Sequence, residues 1–525
     1  MSDDAAILAA GSQHGGDGVR TADGPAGRRQ GKHPAGGFGR ALLLTVAGTV
    51  VPGTAFLASG RRRLGAVVLL LFLLLLGGVA WVATSGRRDA VRLAVDSTAL
   101  LWIIGGIAAL ALLWLVVVVT GYRALLPHRV RRWQHALGAL VVLLLCAGVV
   151  APAVVVVRVA TAQRTLVDTV FHDGNSATVT QPTNTTVPFG GRKEINVLLL
   201  GGDGGAGRQG VRTDTVIVAH VDTGTGATTL FSLPRNLENL PFPPGSPLAA
   251  VYPNGFNAGS EDESLLNAVY RNGPAAHPNI LGPTDDPGAD FLKLGVGEAL
   301  GLNIDYYLLV NLDGFSRLVD ALGGITLNVN YYVPVGGEPT IGTLPDAYIA
   351  PGPNQHLDGG TALAYSRGRF GLTDYQRMDR QRCVLQAIVN AADPVTLLSQ
   401  YQELARTTQD IVSTDVPSAV LGDVVDLAFR VKNAGIRSVV FDNTVINPAY
   451  PDYNRIRALV QEALAPTPPT AATTPPPAAP SSTPAATPSA AGNGGSATAV
   501  TNACAYDPAQ AAAALAAGQP PTRGP

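Results

Sequence analysis

The sequence predicts a mixed α/β domain, a sheet covered by helices on both sides, carried behind a membrane-spanning helical region. Three observations predict it. Charge-free apolar runs at 64–84, 97–120 and 136–157 are 21, 24 and 22 residues long, and about 20 suffice to cross the hydrocarbon layer. Between 193 and 464, strand-like runs alternate with helical ones in one folded length, as in a sheet with helices on its faces. Charge divides near the same boundary: residues 1–157 hold 15 Lys and Arg against 6 Asp and Glu, net +9, whereas 158–464 hold 21 against 31, net −10. That split argues against a soluble one-domain enzyme and against a uniformly basic nucleic-acid binder.

Residues 1–40 are Gly-rich and polar without hydrophobic period, the pattern of a disordered tail, here cytoplasmic. The membrane region is 41–160. Its LLLFLLLL and LVVVV stretches have no polar face, which rejects buried helices of a soluble core. Several apolar stretches, not one, reject a cleaved signal peptide. A further apolar run, 41–59, is broken by Pro52 and Gly53 and is expected to dip in and return, to lie in the interface, or to form a fourth span. Three spans place 12 Lys and Arg on the cytoplasmic flanks and 3 outside, whereas four spans place 7 inside and 8 outside. The positive-inside rule favours three. The reading is a multi-pass protein of the cell membrane, in contact with the lipid bilayer, with residues 158–525 outside.

A linker, 161–192, precedes the folded unit 193–464. Its strand-like runs are INVLLLGG, TVIVAHVD, TTLFSLP, YYLLVNL, ITLNVN and SVVF. Its clearest helical runs lie around 265–270, 291–300, 315–322, 374–391, 418–432 and 454–464. The tail, 465–525, is rich in Pro, Ala and Thr and opens as a semi-extended spacer. Only 4 of 37 basic residues are Lys, which with abundant Ala and Gly suggests a GC-rich genome.

Four segments carry chemistry. INVLLLGGDGGAGRQG fits GxGxxG at Gly202, Gly204 and Gly207, but a dinucleotide fingerprint must open a helix and the next run is a strand. Asp203 ends the first strand; Arg212 and Asp214 open the second, in RTDT. Two carboxylates at neighbouring strand ends can share a hard divalent cation with phosphate completing its shell, or simply form surface ion pairs. FSLPRNL puts Arg235 at a third strand end, behind a Pro that stops the ladder. LAYSRGRFGLTDYQRMDRQRCVLQAI is the most informative: Arg367, Arg369, Arg377, Arg380 and Arg382 are five of the 21 basic residues of 158–464. Arg367 and Arg369, two apart, share a face if the chain is extended. Arg377 and Gln381, four apart, share a helix face. Guanidinium forks pair bidentately with phosphate oxygens. No HExxH or GxSxG occurs, so neither a His-based zinc site nor a nucleophilic triad is built. Phosphoryl transfer, which runs on positioning and charge neutralisation, suits the inventory.

The succession INVLLLGGD, RTDT, LFSLPRN, LLNAVY, VNLDGFSRLVDALGGI, HLDGGTALAYSRGRF and DYQRMDRQR, over about 193–392, resembles the LytR–CpsA–Psr (LCP) family of cell-wall enzymes in its actinobacterial type. The resemblance implies an α/β/α sandwich with a central mixed sheet. It implies transfer of a glycopolymer from a polyprenyl-pyrophosphate carrier to a peptidoglycan hydroxyl, aided by Mg²⁺ or Mn²⁺. It casts Asp203 and Asp214 as metal ligands, Arg212, Arg235, Arg367 and Arg369 as catalytic, and Arg377 and Gln381 as phosphate-binding. It also implies an apolar tunnel for the lipid, expected along the helices after Leu265 and Phe291. Asn236 departs from the PRD form of the motif, and the stretch between Arg369 and Asp374 is short. Two rival classes share these features: a lipid pyrophosphate hydrolase needing the same Arg and metal groups, and a membrane-anchored regulator. An external domain at net −10 does not favour nucleic acid.

Three cysteines remain. Cys146 lies in a span and acts as a small hydrophobe. Cys383 and Cys504 both fall outside, where disulfides persist. Either they pair across the spacer, or Cys383 is a core thiol and Cys504 is free.

Overall fold

The computed structural model describes residues 37–127, 130–171, 174–179, 187–204, 211–392, 412–465 and 498–523. The expected N-terminal tail before residue 37, part of the 161–192 linker, most of the Gly-rich turn (205–210) and the spacer 466–497 lie outside the described residues. The chain divides into two compact units, one of Met1–Val67 with Val117–Leu145, the other of Val68–Val116 with Cys146–Pro525.

The first apolar run forms two short helices, α1 (Phe38–Val50) and α2 (Thr54–Ala58). Pro52 and Gly53 separate them, and Gly53 takes φ 102°, a left-handed turn that favours glycine. Helices α3 (Arg62–Thr84), α5 (Ser97–Leu125) and α6 (Arg132–Val170) are each long and apolar enough to cross a membrane. Helix α6 continues through 161–170, so the first third of the expected linker is helical. A short amphipathic helix, α4 (Arg87–Val95), joins α3 to α5.

Within the second unit a seven-stranded sheet runs in the order β11-β10-β3-β2-β1-β4-β9. Strands β1 (Glu194–Gly202), β2 (Thr213–Asp222), β3 (Thr228–Leu233) and β4 (Tyr306–Asn311) lie where alternating apolar runs predict them. Strand β1 pairs antiparallel with β2 and parallel with β4. Strand β5 (Ile325–Val329) leaves this sheet and pairs with β8 (Gly352–Leu357), while β6 (Val333–Val335) pairs with β7 (Ala347–Ile349). Edge strand β9 (Val412–Thr414), strand β10 (Ile436–Val440) and β11 (Thr498–Ala499) complete the set.

Period-2 alternation gives each central strand two apolar faces. Leu198, Leu200, Val216, Val218 and Phe231 point into one core, against α9 (Leu266–Ala276) and α10 (Pro287–Leu300). Two single-turn helices, α7 (Pro247–Val251) and α8 (Glu261–Ser264), precede them. Ile195, Ile217, Ala219 and Tyr306 point the other way. Beyond that second face lie α11 (Leu312–Ala321), α12 (Gly359–Arg367), α13 (Asp374–Ala391) and α14 (Leu421–Asn433). Helix α15 (Tyr453–Leu464) returns to the first face through Ile456, Leu459 and Val460. Helices on both faces of a mixed sheet make the α/β/α sandwich.

One expectation changes here. Arg367 ends helix α12 instead of sharing a strand with Arg369. Asp358 caps that helix, accepting from the Thr361 amide at 2.8 Å, and the small residues that follow fit a close helix. Beyond its opening spacer the tail is ordered. Residues 498–523 fold onto the domain as β11, α16 (Val500–Ala503) and α17 (Pro508–Ala517). Cys504 is bonded to Cys383, with Cα atoms 5.5 Å apart.

Candidate active site

The site is built where β1 and β2 end. Their register shifts between Gly201, opposite Thr215, and Gly202, opposite Thr213. Asp214 is therefore the extra residue of a bulge, the device that re-aims a side chain beside a site. Asp203 and Arg212 close the hairpin: each backbone N–H reaches the other residue, Asp203 N to Arg212 O at 3.1 Å and Arg212 N to Asp203 Oδ1 at 2.7 Å. Glycine is required at the strand end, because a Cβ on Gly201 would meet Thr215 at 2.9 Å and one on Gly202 would meet Val211 at 2.8 Å.

Asp214 Oδ1 accepts from Arg235 Nη1 at 3.0 Å and from Asn267 Nδ2 at 3.1 Å. Burial alone would raise its carboxyl; Arg235, Asn267 and Arg377 outweigh that and hold it below the usual range. Arg235 also reaches Asp374 through Nε at 3.3 Å. Arg377, only 3% exposed, donates to Asp374 at 3.0 Å and to the Asp214 carbonyl at 3.2 Å. Burial, against the pull of Asp374 and with repulsion from Arg235 and Arg369, lowers Arg377 to about 10. It stays charged at neutral pH. Its Nε is buried with no partner among the described residues, an orphan donor of the sort a bound anion satisfies.

A cavity of about 590 Å³ opens onto these groups. Asp203, Asp214, Arg367, Arg369, Arg377 and Gln381 all line it, with Glu338 from the β6–β7 turn. Its other walls are apolar: Leu199, Ile217 and Leu308 from the sheet, Phe315 from α11, Leu363 from α12, and Val384, Leu385 and Ile388 from α13. This corrects the expected course of the apolar space. The helices after Leu265 and Phe291 are α9 and α10, which pack on the opposite face of the sheet.

Six of the eight expected site residues thus share one cavity. Arg235 stands behind it, joined to Asp214 and Asp374. Arg212 turns away, its Nη2 2.5 Å from Glu263 Oε1, and Glu263 also pairs with Arg271. Arg380 and Arg382, counted in the Arg-rich run, are structural. Arg380 is 2% exposed and donates to the Tyr365 carbonyl at 2.7 Å and to the Gly368 carbonyl; Arg382 donates to Ser438 at 2.6 Å and pairs with Asp379. Gly368, between Arg367 and Arg369, presses on β6: a Cβ there would lie 2.5 Å from the Pro334 carbonyl oxygen. Sequence reasoning missed Asn267 and Asp374. Both sit in the quoted motifs, LLNAVY and DYQR, but their roles depend on contacts with distant strands.

The α/β/α domain thus carries one cavity lined by both arginines and apolar side chains. Residues 162–456 match the LytR_cpsA_psr family, and the chain belongs to that family. It is 32% identical over 250 residues to the polyisoprenyl-teichoic acid–peptidoglycan teichoic acid transferase TagU of Enterococcus faecalis, covering 46% of this chain and 69% of that one. It is 30% identical over 233 residues to the probable cell wall biosynthesis protein LcpB of Corynebacterium glutamicum, covering 44% of each. Among solved structures, TagV of B. subtilis aligns with 23% identity and a TM-score of 0.36, over 53% of this chain and 99% of that one.

Proposed function

We propose that the protein is a multi-pass membrane transferase that moves a glycopolymer from a polyprenyl-pyrophosphate carrier to a peptidoglycan hydroxyl, outside the cell. The supporting observation is the cavity itself, whose lining combines Arg367, Arg369, Arg377 and Gln381 with apolar side chains from the sheet and from α11, α12 and α13. That distribution suits a pyrophosphate head on a hydrocarbon tail, because guanidinium forks match phosphate oxygens and apolar walls take a chain out of water. The Enterococcus relative is named for the same class of transfer. The charge asymmetry of the spans supports the orientation.

In this reading the acceptor hydroxyl oxygen attacks the sugar-bearing phosphorus. One P–O bond forms to peptidoglycan, the hydroxyl O–H and the bridging P–O bond break, the proton passes to water, and polyprenyl phosphate leaves. Arg367, Arg369 and Arg377 neutralise charge on the phosphates, and Gln381 orients them. Arg235 and Asp374 fix Asp214 and Arg377 in place. Asp203 and Asp214 fit a hard divalent cation, Mg²⁺ or Mn²⁺: two carboxylates line one cavity beside the phosphate-binding cluster, and such ions take one or two carboxylates with phosphate and water. Bound there, the ion supplies charge neutralisation at the phosphate.

The test is the full-length protein given lipid-linked glycopolymer with and without peptidoglycan. Phosphodiester-linked product that requires peptidoglycan supports transfer. Release of free phosphorylated polymer at the same rate in both would assign a hydrolase, and no turnover in either would favour a non-catalytic regulator.

A further inference from the structure

Two stretches of chain flanking the apolar helices are bound to the folded domain. The first is α4, between α3 and α5. It packs along α14, with Val91 4% exposed and Arg92 Nη1 3.3 Å from Asp426 Oδ2. Arg92 crosses the start of α14 closely: a Cβ on Gly422 would lie 3.5 Å from Arg92 Nε. The second is 174–179, which follows α6. Asp290 of α10 is 1% exposed and accepts from Ser176 Oγ at 3.0 Å, from the Ala177 amide at 3.0 Å and from Thr178 Oγ1. Asn175 and Asp285 exchange two more bonds, at 2.9 and 3.0 Å.

The two attachments fall on opposite faces of the central sheet. Helix α10 belongs to the core built on Leu198 and Phe231, whereas α14 belongs to the core built on Ile195 and Ile217. A domain on one stalk swivels; one gripped on both faces does not. The contact also fixes sidedness. Helix α4 lies between the first and second spans, and it can touch a domain that follows the third only from the domain's own side of the membrane. Arg92 then stands on the side where Lys and Arg are usually scarce, and Asp426 of the domain receives it.

We infer that α4 is an extracytoplasmic docking helix that, with 174–179, mounts the catalytic domain on the membrane at two points and holds its cavity in one attitude to the bilayer. The catalytic part of this inference rests on the transferase reading. A half-exposed ion pair contributes little by itself, so the test reverses charge, placing like charges in contact.

Full-length protein in lipid nanodiscs carries Asp426→Arg, Arg92→Asp, or both. Each single reversal is expected to speed amide hydrogen exchange in both α4 and α14 several-fold, and the double reversal to restore it. Transfer from bilayer-embedded carrier should fall several-fold in the single variants and recover in the double, while a water-soluble short-chain carrier is used at the wild-type rate. In intact cells, Leu93→Cys, at a residue 48% exposed, should react with a membrane-impermeant maleimide. Unchanged exchange in both single variants, no labelling at position 93, or equal activity loss on both carriers would overturn the inference. Should the wild type turn over neither carrier, the transferase reading fails, while exchange and labelling still decide the docking.

Discussion

Arg235 Nη1 lies 3.0 Å from Asp214 Oδ1, joining the end of β3 to the bulge in β2. The same guanidinium reaches Asp374 at the start of α13. One cation thus ties a strand bulge to a helix from a different layer, and Asp214 is held before any ligand arrives.

Asp203→Ala or Asp214→Ala is expected to reduce Mg²⁺-dependent transfer by about 10²–10³-fold, the cost of losing one preorganised electrostatic group. Thermal unfolding should show a folded domain in both. Full activity in the double variant would remove the pair from the mechanism.

The ion pair also sets acid sensitivity. Burial favours a neutral Asp214, but Arg235 and its neighbours overcome this and depress the carboxyl. A carboxyl lower in the folded than in the unfolded chain stabilises fully above the unfolded value, about 4. That contribution is lost as pH falls through the folded value. Denaturant titrations between pH 6 and pH 2 should show a larger acid loss in wild type than in Asp214→Asn. Equal losses would mean the pair does not govern this range.

Arg367→Lys and Arg369→Lys keep the charge but lose the planar fork. Each should weaken binding of a polyprenyl phosphate by about tenfold or more, as bidentate charge-assisted bonds become single ones. Calorimetric titration of the lipid phosphate measures it; wild-type affinity in both variants would show ordinary surface charge.

Gly368→Ala tests the seat between those arginines. Its added Cβ would meet the Pro334 carbonyl oxygen at 2.5 Å, so the α12–α13 connection must shift. Overpacking of this kind costs about 1–3 kcal/mol, and transfer activity should fall further than stability alone explains. A variant as stable and active as wild type would show that the connection yields freely.

Removing the Cys383–Cys504 bond by Cys504→Ser should lower stability. The bond spans 121 residues, and chain entropy sets an upper estimate of about 4–5 kcal/mol. Non-reduced peptide mapping should find the two cysteines paired within one chain, and reductant should destabilise wild type but not the variant.

What the sequence revealed follows from where the signals reside. Strand β1 was legible because Val197, Leu198, Leu199 and Leu200 follow one another without a polar residue, the run of a strand covered on both faces. Helix α13 was legible as a helical run over 374–391, and its start is fixed by a capping box of Thr373 and Gln376 that was not read from the sequence. Strand β8, with the exposed polar run Pro353, Asn354 and His356, offers no alternation to read. The helical placement of Arg367 was hidden because Gly359 and Gly360 open α12 and look like a turn. Asn267 was invisible as a site residue for another reason: it acts on Asp214 from 53 positions away. Asp374 lies three residues from Arg377, but its second partner, Arg235, comes from a distant strand end, and spacing along a chain carries no such information.

The sheet's outermost strand has a temporal meaning. Strand β11 comes from residues 498–499 and covers β10, whose residues 436–440 precede it by some sixty positions. Until that late segment has been made, the free backbone groups of β10 form an open edge, the template on which other chains add. The growing domain therefore passes through a stage exposed to intermolecular strand exchange, and residues 498–499 end that stage by occupying the edge, where the Cys383–Cys504 bond holds their neighbours to α13.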